Sequence, residues 1–320
     1  YALGSVFVLL ALGLNAFINA QGFGRKGMMT VLLGAVTNIV LDPIFIFLLG
    51  MGVQGAALAT VLSQFVSALW AISFLRGKKA LIPLVWSSLR VRWKLVWQIV
   101  TLGFSSFIMA ITNSVVQIAC NATLQTFGGD LYVGVMTILN SVREVVSTPI
   151  NGMTSAGQPV IGFNYGAQEY RRVRTGIKFT SIVCVIYTTV VWLLLFLFPH
   201  FFIGLFSSEE ALRTAAEPSM HIYFFGFFMM SLQMAGQSAA VALGRSKQAV
   251  FFSLLRKVII VVPLTLILPH CFSLGVNGVF LAEPISNFVG GGACYITMLL
   301  TIWREMVRKE KAKLANNPAA

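Results

Sequence analysis

Charge is what this 320-residue sequence has least of. Only 10% of its residues are Asp, Glu, Lys or Arg, against about 25% in soluble domains. A chain so poor in charge cannot clothe a water-facing surface, so a soluble globular protein is excluded even though the length allows two such domains. Acids are scarcer than bases, 10 against 23, and there are 3 histidines and 4 cysteines. Cys120, Cys184, Cys271 and Cys294 are scattered, with no C-x-x-C pair and no histidine at ligand spacing. Neither a zinc site nor a disulfide framework is supported, and no cofactor is expected.

Hydrophobic residues make up 57% of the chain, and the mean hydropathy is +0.84. They fall into nine apolar segments, at about 3–20, 28–49, 54–75, 96–127, 131–162, 176–198, 215–243, 248–269 and 276–303. About 20 apolar residues cross a hydrocarbon core of roughly 30 Å as a helix. The expected fold is therefore an all-α polytopic membrane protein. The fourth, fifth and seventh segments exceed a minimal span and are expected to tilt or project.

The connections alternate in charge. The odd ones carry Arg25 and Lys26; Arg76, Lys78, Lys79, Arg90, Arg92 and Lys94; Arg171, Arg172, Arg174 and Lys178; and Arg245, Lys247, Arg256 and Lys257. The even ones are bare apart from Asp130, and Arg213 beside Glu209 and Glu210. With Arg304, Arg308, Lys309, Lys311 and Lys313 in the tail, 21 of the 23 basic residues fall on one side. The positive-inside rule assigns that side to the cytoplasm, in a multi-pass protein of the cell (inner) membrane with a cytoplasmic C-terminus. The net charge of +13 is thus a topology signal, and nucleic acid is not the expected partner. Trp86 to Trp97, with Arg90, Arg92, Trp93 and Lys94, reads as a cytoplasmic interfacial anchor.

An internal repeat is visible. Gly24-Arg25 matches Gly244-Arg245 and Pro43 matches Pro263, both at an offset of 220. After three inserted residues, Gly52-Val-Gln-Gly55 matches Gly275-Val-Asn-Gly278 and Ser63-Gln64 matches Ser286-Asn287. The first three segments repeat as the last three in the same orientation, the pattern of parallel repeats in transporters. The second copy also owns the middle three segments. By extrapolation about 120–130 residues and three helices precede Tyr1, giving twelve spans in two parallel-related six-helix bundles. The expected organisation is the end of an N-terminal lobe (1–75), a basic linker (76–95), a complete C-terminal lobe (96–303) and a basic tail (304–320).

Three acids, Asp42, Glu144 and Glu283, lie within spans, where each costs about 2.5–3.5 kcal/mol on insertion scales and marks a functional candidate. Asp42 sits about seven residues, roughly 10 Å, from its helix end, and Thr60 reaches a similar depth from the following turn. Asn38 is one turn from Asp42 on the same face. Pro43 has no N–H, so the Ile39 carbonyl is left free nearby. These oxygens suit a proton or a desolvated Na⁺, although Asp42 can equally serve as a hydrogen-bonding group of the bundle. At the offsets above, Asn38 and Asp42 become Val258 and Val262, while Thr60 becomes Glu283. Glu283 reads either as a cavity group for substrate or proton or as the partner of a base such as Arg143. Arg143 and Glu144 point about 100° apart and do not suit each other; a bundle-internal ion pair or a substrate site is open to both. Pro149 and Pro159 are expected to bend the fifth segment.

Asn38 to Gln64 (NIVLDPIFIFLLGMGVQGAALATVLSQ), Gly157 to Ala167 (GQPVIGFNYGA) and Ala242 to Lys247 (ALGRSK) resemble the multidrug and toxic compound extrusion (MATE) family in its DinF-like bacterial branch. The resemblance runs over essentially the whole chain. It implies two six-helix lobes around a central cavity. It also implies export of organic, often cationic, small molecules in exchange for H⁺ or Na⁺, with no catalytic residues. In that branch the ion ligands match Asn38, Asp42 and Thr60, joined by an acid on the first helix of the family, which lies outside this sequence. A second branch carries an acidic ligand on the helix equivalent to the fourth segment, which here has Asn113, Gln117 and Asn121 but no acid. The expected function is a cation-coupled antiporter, a monomer in the bilayer, working by alternating access. A flippase for lipid-linked saccharides or peptidoglycan precursors is the alternative. It needs several cavity-facing cations, for which Arg143 and Arg256 are the candidates. A membrane-embedded enzyme would need paired carboxylates or a metal cluster, which three isolated acids do not supply.

Overall fold

The computed structural model describes residues 4–85, 91–271 and 274–316, and these residues contain helices and turns with no strand. Trp86 to Arg90 of the expected interfacial anchor lie outside the described residues. The chain divides into two compact units, Tyr1–Trp93 and Lys94–Ala320.

In the first unit, α1 (Ser5–Ala20), α2 (Gly24–Leu48) and α3 (Gly52–Arg76) pack on one another. Ile18 of α1 is sealed against Ala71 and Leu75 of α3. Small residues let the backbones close. Gly34 faces Ser67, and a Cβ on Gly55 would lie 2.8 Å from the Phe45 carbonyl carbon and oxygen. Beyond Pro43 the last turn of α2 widens into a π-helix, Ile44–Leu48. That is the expected response to a proline that cannot donate to the Ile39 carbonyl.

The second unit begins with a helical run from Trp93 to Gly166, broken at Gly129 (φ 65°, ψ −164°) into α4 (93–128) and α5 (130–166). Only glycine enters such a conformation without strain. The break falls there, while the run stays helical through Pro149 and Pro159. Next come α6 (Tyr170–Leu197), the short α7 (Pro199–Gly204), α8 (Glu210–Tyr223), α9 (Phe227–Ala242), α10 (Ser246–His270) and α11 (276–316). Leu124, Leu139, Ile150, Met220 and Phe280 are central to the apolar core.

The helices depart from the nine segments in specific ways. Among the described residues, six helices are long and apolar enough to span a membrane, one of them being Phe107–Gly166. The first segment is a 16-residue helix. The seventh is two helices, because Gly226 takes a left-handed φ of 77° between α8 and α9.

Three helix ends share one backbone motif. Gly22, Gln168 and Gly244 adopt φ of 84°, 58° and 73°. The next N–H reaches back five residues, Phe23 to Ile18 O (3.2 Å), Glu169 to Asn164 O (2.9 Å) and Arg245 to Ala240 O (2.8 Å). This is the Schellman termination, which satisfies the last carbonyls of each helix. It also corrects the repeat. Phe23 corresponds to Arg245, and 245 − 23 is 222, so Gly22 rather than Gly24 is the counterpart of Gly244. Further along, the offset of 223 holds. A Cβ on Gly278 would meet Leu268 C and Pro269 N at 2.6 Å, as Gly55 meets Phe45, and both 278 − 55 and 268 − 45 equal 223.

The last turns of α11 are tied to α6 and the turn before it by close ion pairs, Arg174 to Glu310 at 2.6 Å and Lys313 to Glu169 at 2.8 Å. Arg174 also lies 4.9 Å over the Trp303 ring. The hydrogen bond and charge of Lys313 hold the Glu169 carboxyl below its ordinary pKa.

Gly278→Ala should cost about 1–3 kcal/mol, because the added methyl meets backbone that cannot swing aside. Gly152→Ala, with open space around its Cβ, should leave thermal unfolding unchanged or slightly higher. Equal melting temperatures for the two variants would show that close approach at Gly278 is not required.

Candidate functional site

Each unit carries its own polar site. In the first, Asn38 of α2 and Thr60 of α3 line a cavity of about 250 Å³ together with Asn15, Ser63, Gln64 and Ser67. Thr60 donates its hydroxyl proton to the Ala56 carbonyl at 2.9 Å, which leaves the oxygen's lone pairs available. Ser63 and Ser67 are likewise spent on the Thr60 and Thr30 carbonyls, at 2.8 and 3.1 Å. Asp42 is one turn beyond Asn38 and does not line this cavity. Its Oδ1 is nonetheless shut off from solvent without a hydrogen-bond partner, as are Asn15 Oδ1 and Asn38 Nδ2.

Unpaired buried polar atoms are costly, and two of these three are acceptors. Asn15 Oδ1 shares the cavity with the Thr60 hydroxyl, and the Asp42 carboxylate adds a second unpaired acceptor one turn beyond Asn38 on α2; oxygens of this kind are hard-cation ligands. Asn15 was not recognised from sequence. Its signal was the Asn15/Asn19 pair, two amides four apart on one face of an otherwise apolar helix.

The repeat gives this site no second copy. At offsets of 222 and 223, Asn38 corresponds to Ile260 or Val261 and Asp42 to Leu264 or Thr265, none of them an acid.

The second unit holds a charge cluster instead. Arg143 of α5, Arg256 and Lys257 of α10 and Glu283 of α11 converge on a single oxygen, Glu283 Oε1, at 3.6, 3.6 and 3.4 Å. Arg256, Lys257 and Glu283 are 6–7% exposed. Arg256 also donates to Asn287 Oδ1. Glu144, next to Arg143 in sequence, is exposed and takes no part in an ion pair among the described residues. Around the cluster lies a cavity of about 40 Å³, bordered by Asn140, Tyr223, Asn113 and Gln117. Tyr223 donates to Asn140 Oδ1 at 3.4 Å, and Arg143 lies 5.9 Å over its ring.

Arg256 and Lys257 therefore do not belong with the basic turn to which their sequence position assigned them. The basic residues of that side fall from 21 to 19. Depth was the missed signal. Lys257 is eleven residues into a helix that starts at Ser246, about 16 Å along its axis and halfway through a hydrocarbon core.

Removing one member of a buried charge cluster leaves the others uncompensated. Glu283→Gln should destabilise the protein by about 3–5 kcal/mol, and adding Lys257→Gln should restore part of the loss. A Glu283→Gln variant as stable as the parent in thermal unfolding would contradict the central place of this carboxylate.

Comparison with known proteins agrees with this architecture. The sequence profile of the MatE family matches residues 105–267. The multidrug export protein MepA of Staphylococcus saprophyticus is 25% identical over 316 residues, covering 98% of this chain and 68% of the relative. MepA of Staphylococcus aureus (strain MRSA252) is 23% identical over 303 residues, with 94% and 65% covered. The chain thus spans about two thirds of the length of the curated relatives it matches. A crystal structure of MATE in complex with MaL6 superimposes with a TM-score of 0.88 at 23% identity, over 96% of this chain and 68% of that one.

Proposed function

The chain belongs to the MatE family, and from that premise we propose that it is a multidrug exporter driven by cation exchange. Its substrates are organic, largely cationic small molecules, and its coupling ion is H⁺ or Na⁺. It works as a monomeric secondary transporter of the cell membrane, with its C-terminus in the cytoplasm, and carries out no covalent chemistry. The relatives named as multidrug export proteins support the substrate class. The observation that carries the coupling is the buried, unpartnered Asp42 carboxylate oxygen, beside Asn38 and near a cavity that holds Asn15 and Thr60.

In this reading Asp42 supplies the negative charge that a proton or sodium ion neutralises. Asn38 and Thr60 supply neutral oxygens and Asn15 a further amide oxygen, so the acceptors orphaned in α1 and α2 find their partner in the ion. Loading and unloading of Asp42 shifts the balance between two conformations of the transporter. An ion does this only through a difference in its affinity for the two states. Linkage then makes the effect reciprocal, so that drug weakens ion binding as much as ion weakens drug binding. Glu283 and Arg143 belong to the second unit's cluster and take no part in holding the cation, and Glu144 has no role at either site.

The test is equilibrium binding of a cationic fluorescent dye to the purified protein while Na⁺ and H⁺ are raised separately. One of the two should weaken dye binding by about 5–150-fold, and Asp42→Asn should abolish that dependence while keeping dye affinity high. Dye affinity indifferent to both ions, or an Asp42→Asn variant that keeps the dependence, would reject Asp42 as the coupling group.

A further inference from the structure

We infer that the cavity at Glu283 is a binding subsite for a small monovalent anion, either the carboxylate of an amphiphilic substrate or chloride in its place. The first argument is charge. Three cations surround one carboxylate, and among the described residues Glu283 is the sole carboxylate within ion-pair distance of them. Arginine keeps its proton in proteins. Even a neutral Lys257 would therefore leave two guanidinium groups facing one negative charge in an apolar interior, where an unmatched charge is expensive.

The second argument is geometry. The contacts to Glu283 span 3.4–3.6 Å, whereas the pairs at the end of α11 close to 2.6–2.9 Å. Charge-assisted hydrogen bonds prefer about 2.7–2.9 Å, so the N–H groups of the cluster are not exhausted by the carboxylate. Tyr223 fixes the Asn140 amide by donating to its Oδ1, and Asn140 Nδ2 is left on the cavity wall without an acceptor. Arg256 Nε, which does not itself border the cavity, is a second buried donor of the cluster without one. Space is present as well. A cavity of about 40 Å³ exceeds the roughly 10–15 Å³ that one water-sized particle needs, and Asn113 and Gln117 on its border are exposed. The resident Glu283 carboxylate and this small volume favour a monovalent group over a pyrophosphate.

The repeat supplies the third argument. Subtracting 222 from Arg256 and Lys257 gives Gly34 and Ala35, and subtracting 223 from Glu283 gives Thr60. The scaffold packs without any of these charges in its first copy, so the cluster is not a requirement of the fold. Gly290 makes the room. A Cβ there would meet Arg256 Cγ at 2.8 Å, while its counterpart Ser67 (290 − 223) faces Gly34.

The carboxylate source rests on the exporter reading, and the chloride source does not. The test uses the purified protein in gluconate buffer with two xanthene dyes, one bearing a free carboxylate and the other its ethyl ester, both followed by fluorescence anisotropy. Lys257→Gln should weaken the acid dye about tenfold or more and leave the ester within about twofold. Chloride should displace the acid dye from the parent protein and not from the variant. Should Lys257→Gln fail to fold, Asn140→Leu serves, with a smaller loss in the same direction. A thermal shift on replacing gluconate by chloride, present in the parent and absent in Lys257→Gln, without discrimination between the dyes, would identify chloride as the occupant. Failure of both dyes to bind would count against the exporter reading alone, since the chloride shift still reads the subsite. Equal responses of the two dyes to the substitution, together with no chloride-specific shift, would overturn the inference.

Discussion

An apolar interior that offers no water to a polar atom is the constraint on which this structure depends. Every N–H, carbonyl and charge placed there has to find a partner within the protein or in a ligand. Helix ends meet the demand with the same Schellman hydrogen bonds at Gly22, Gln168 and Gly244. Hydroxyls meet it by bonding back to their own helix, as Thr60, Thr112 and Thr188 do. Among the described residues what remains after this accounting is short: Asp42, Asn38, Asn15 and Trp70 in one unit, and Asn140, Arg256, Arg174 and Gln233 in the other.

The repeated three-helix scaffold makes the contrast between the two sites informative. Gly55 and Gly278 perform the same close approach, and the helix-ending turns at Gly22 and Gly244 match bond for bond. On this shared frame the polar side chains have diverged in sign. The first copy leaves the acceptors Asn15 Oδ1 and Asp42 Oδ1 unpaired. The second replaces Gly34, Ala35 and Thr60 with Arg256, Lys257 and Glu283 and has more donors than acceptors.

Much of the architecture was legible because hydropathy and loop charge respond directly to the bilayer. Most of the helix boundaries came from those signals, and the repeat from glycine, proline and polar residues matched at a nearly constant offset. The break at Gly129 falls in the connection expected between 127 and 131, but the one at Gly226 was not legible, since it lies within a single apolar segment and nothing local distinguishes it from Gly152 or Gly157, which stay helical. The turn register was misassigned because an identical Gly-Arg pair at 24–25 drew the alignment two residues away from the backbone equivalence. Asn38 and Thr60 were legible from depth along a helix, and they share a cavity; Asp42 is close to it without lining it. The three-cation cluster was only half legible. Arg143 and Glu283 stood out as charges in spans and Arg256 as a candidate cavity cation, whereas Lys257 was missed, both it and Arg256 being assigned to a basic turn because loop charge was counted without measuring depth.

The most direct test of cation-driven export is dye efflux from proteoliposomes containing the protein, with a sodium gradient and a proton gradient imposed separately. The account predicts efflux driven by one of the two gradients alone, and its loss when that gradient is collapsed. Efflux that proceeds equally with neither gradient, or fails with both, would contradict cation-coupled export as the function of this fold.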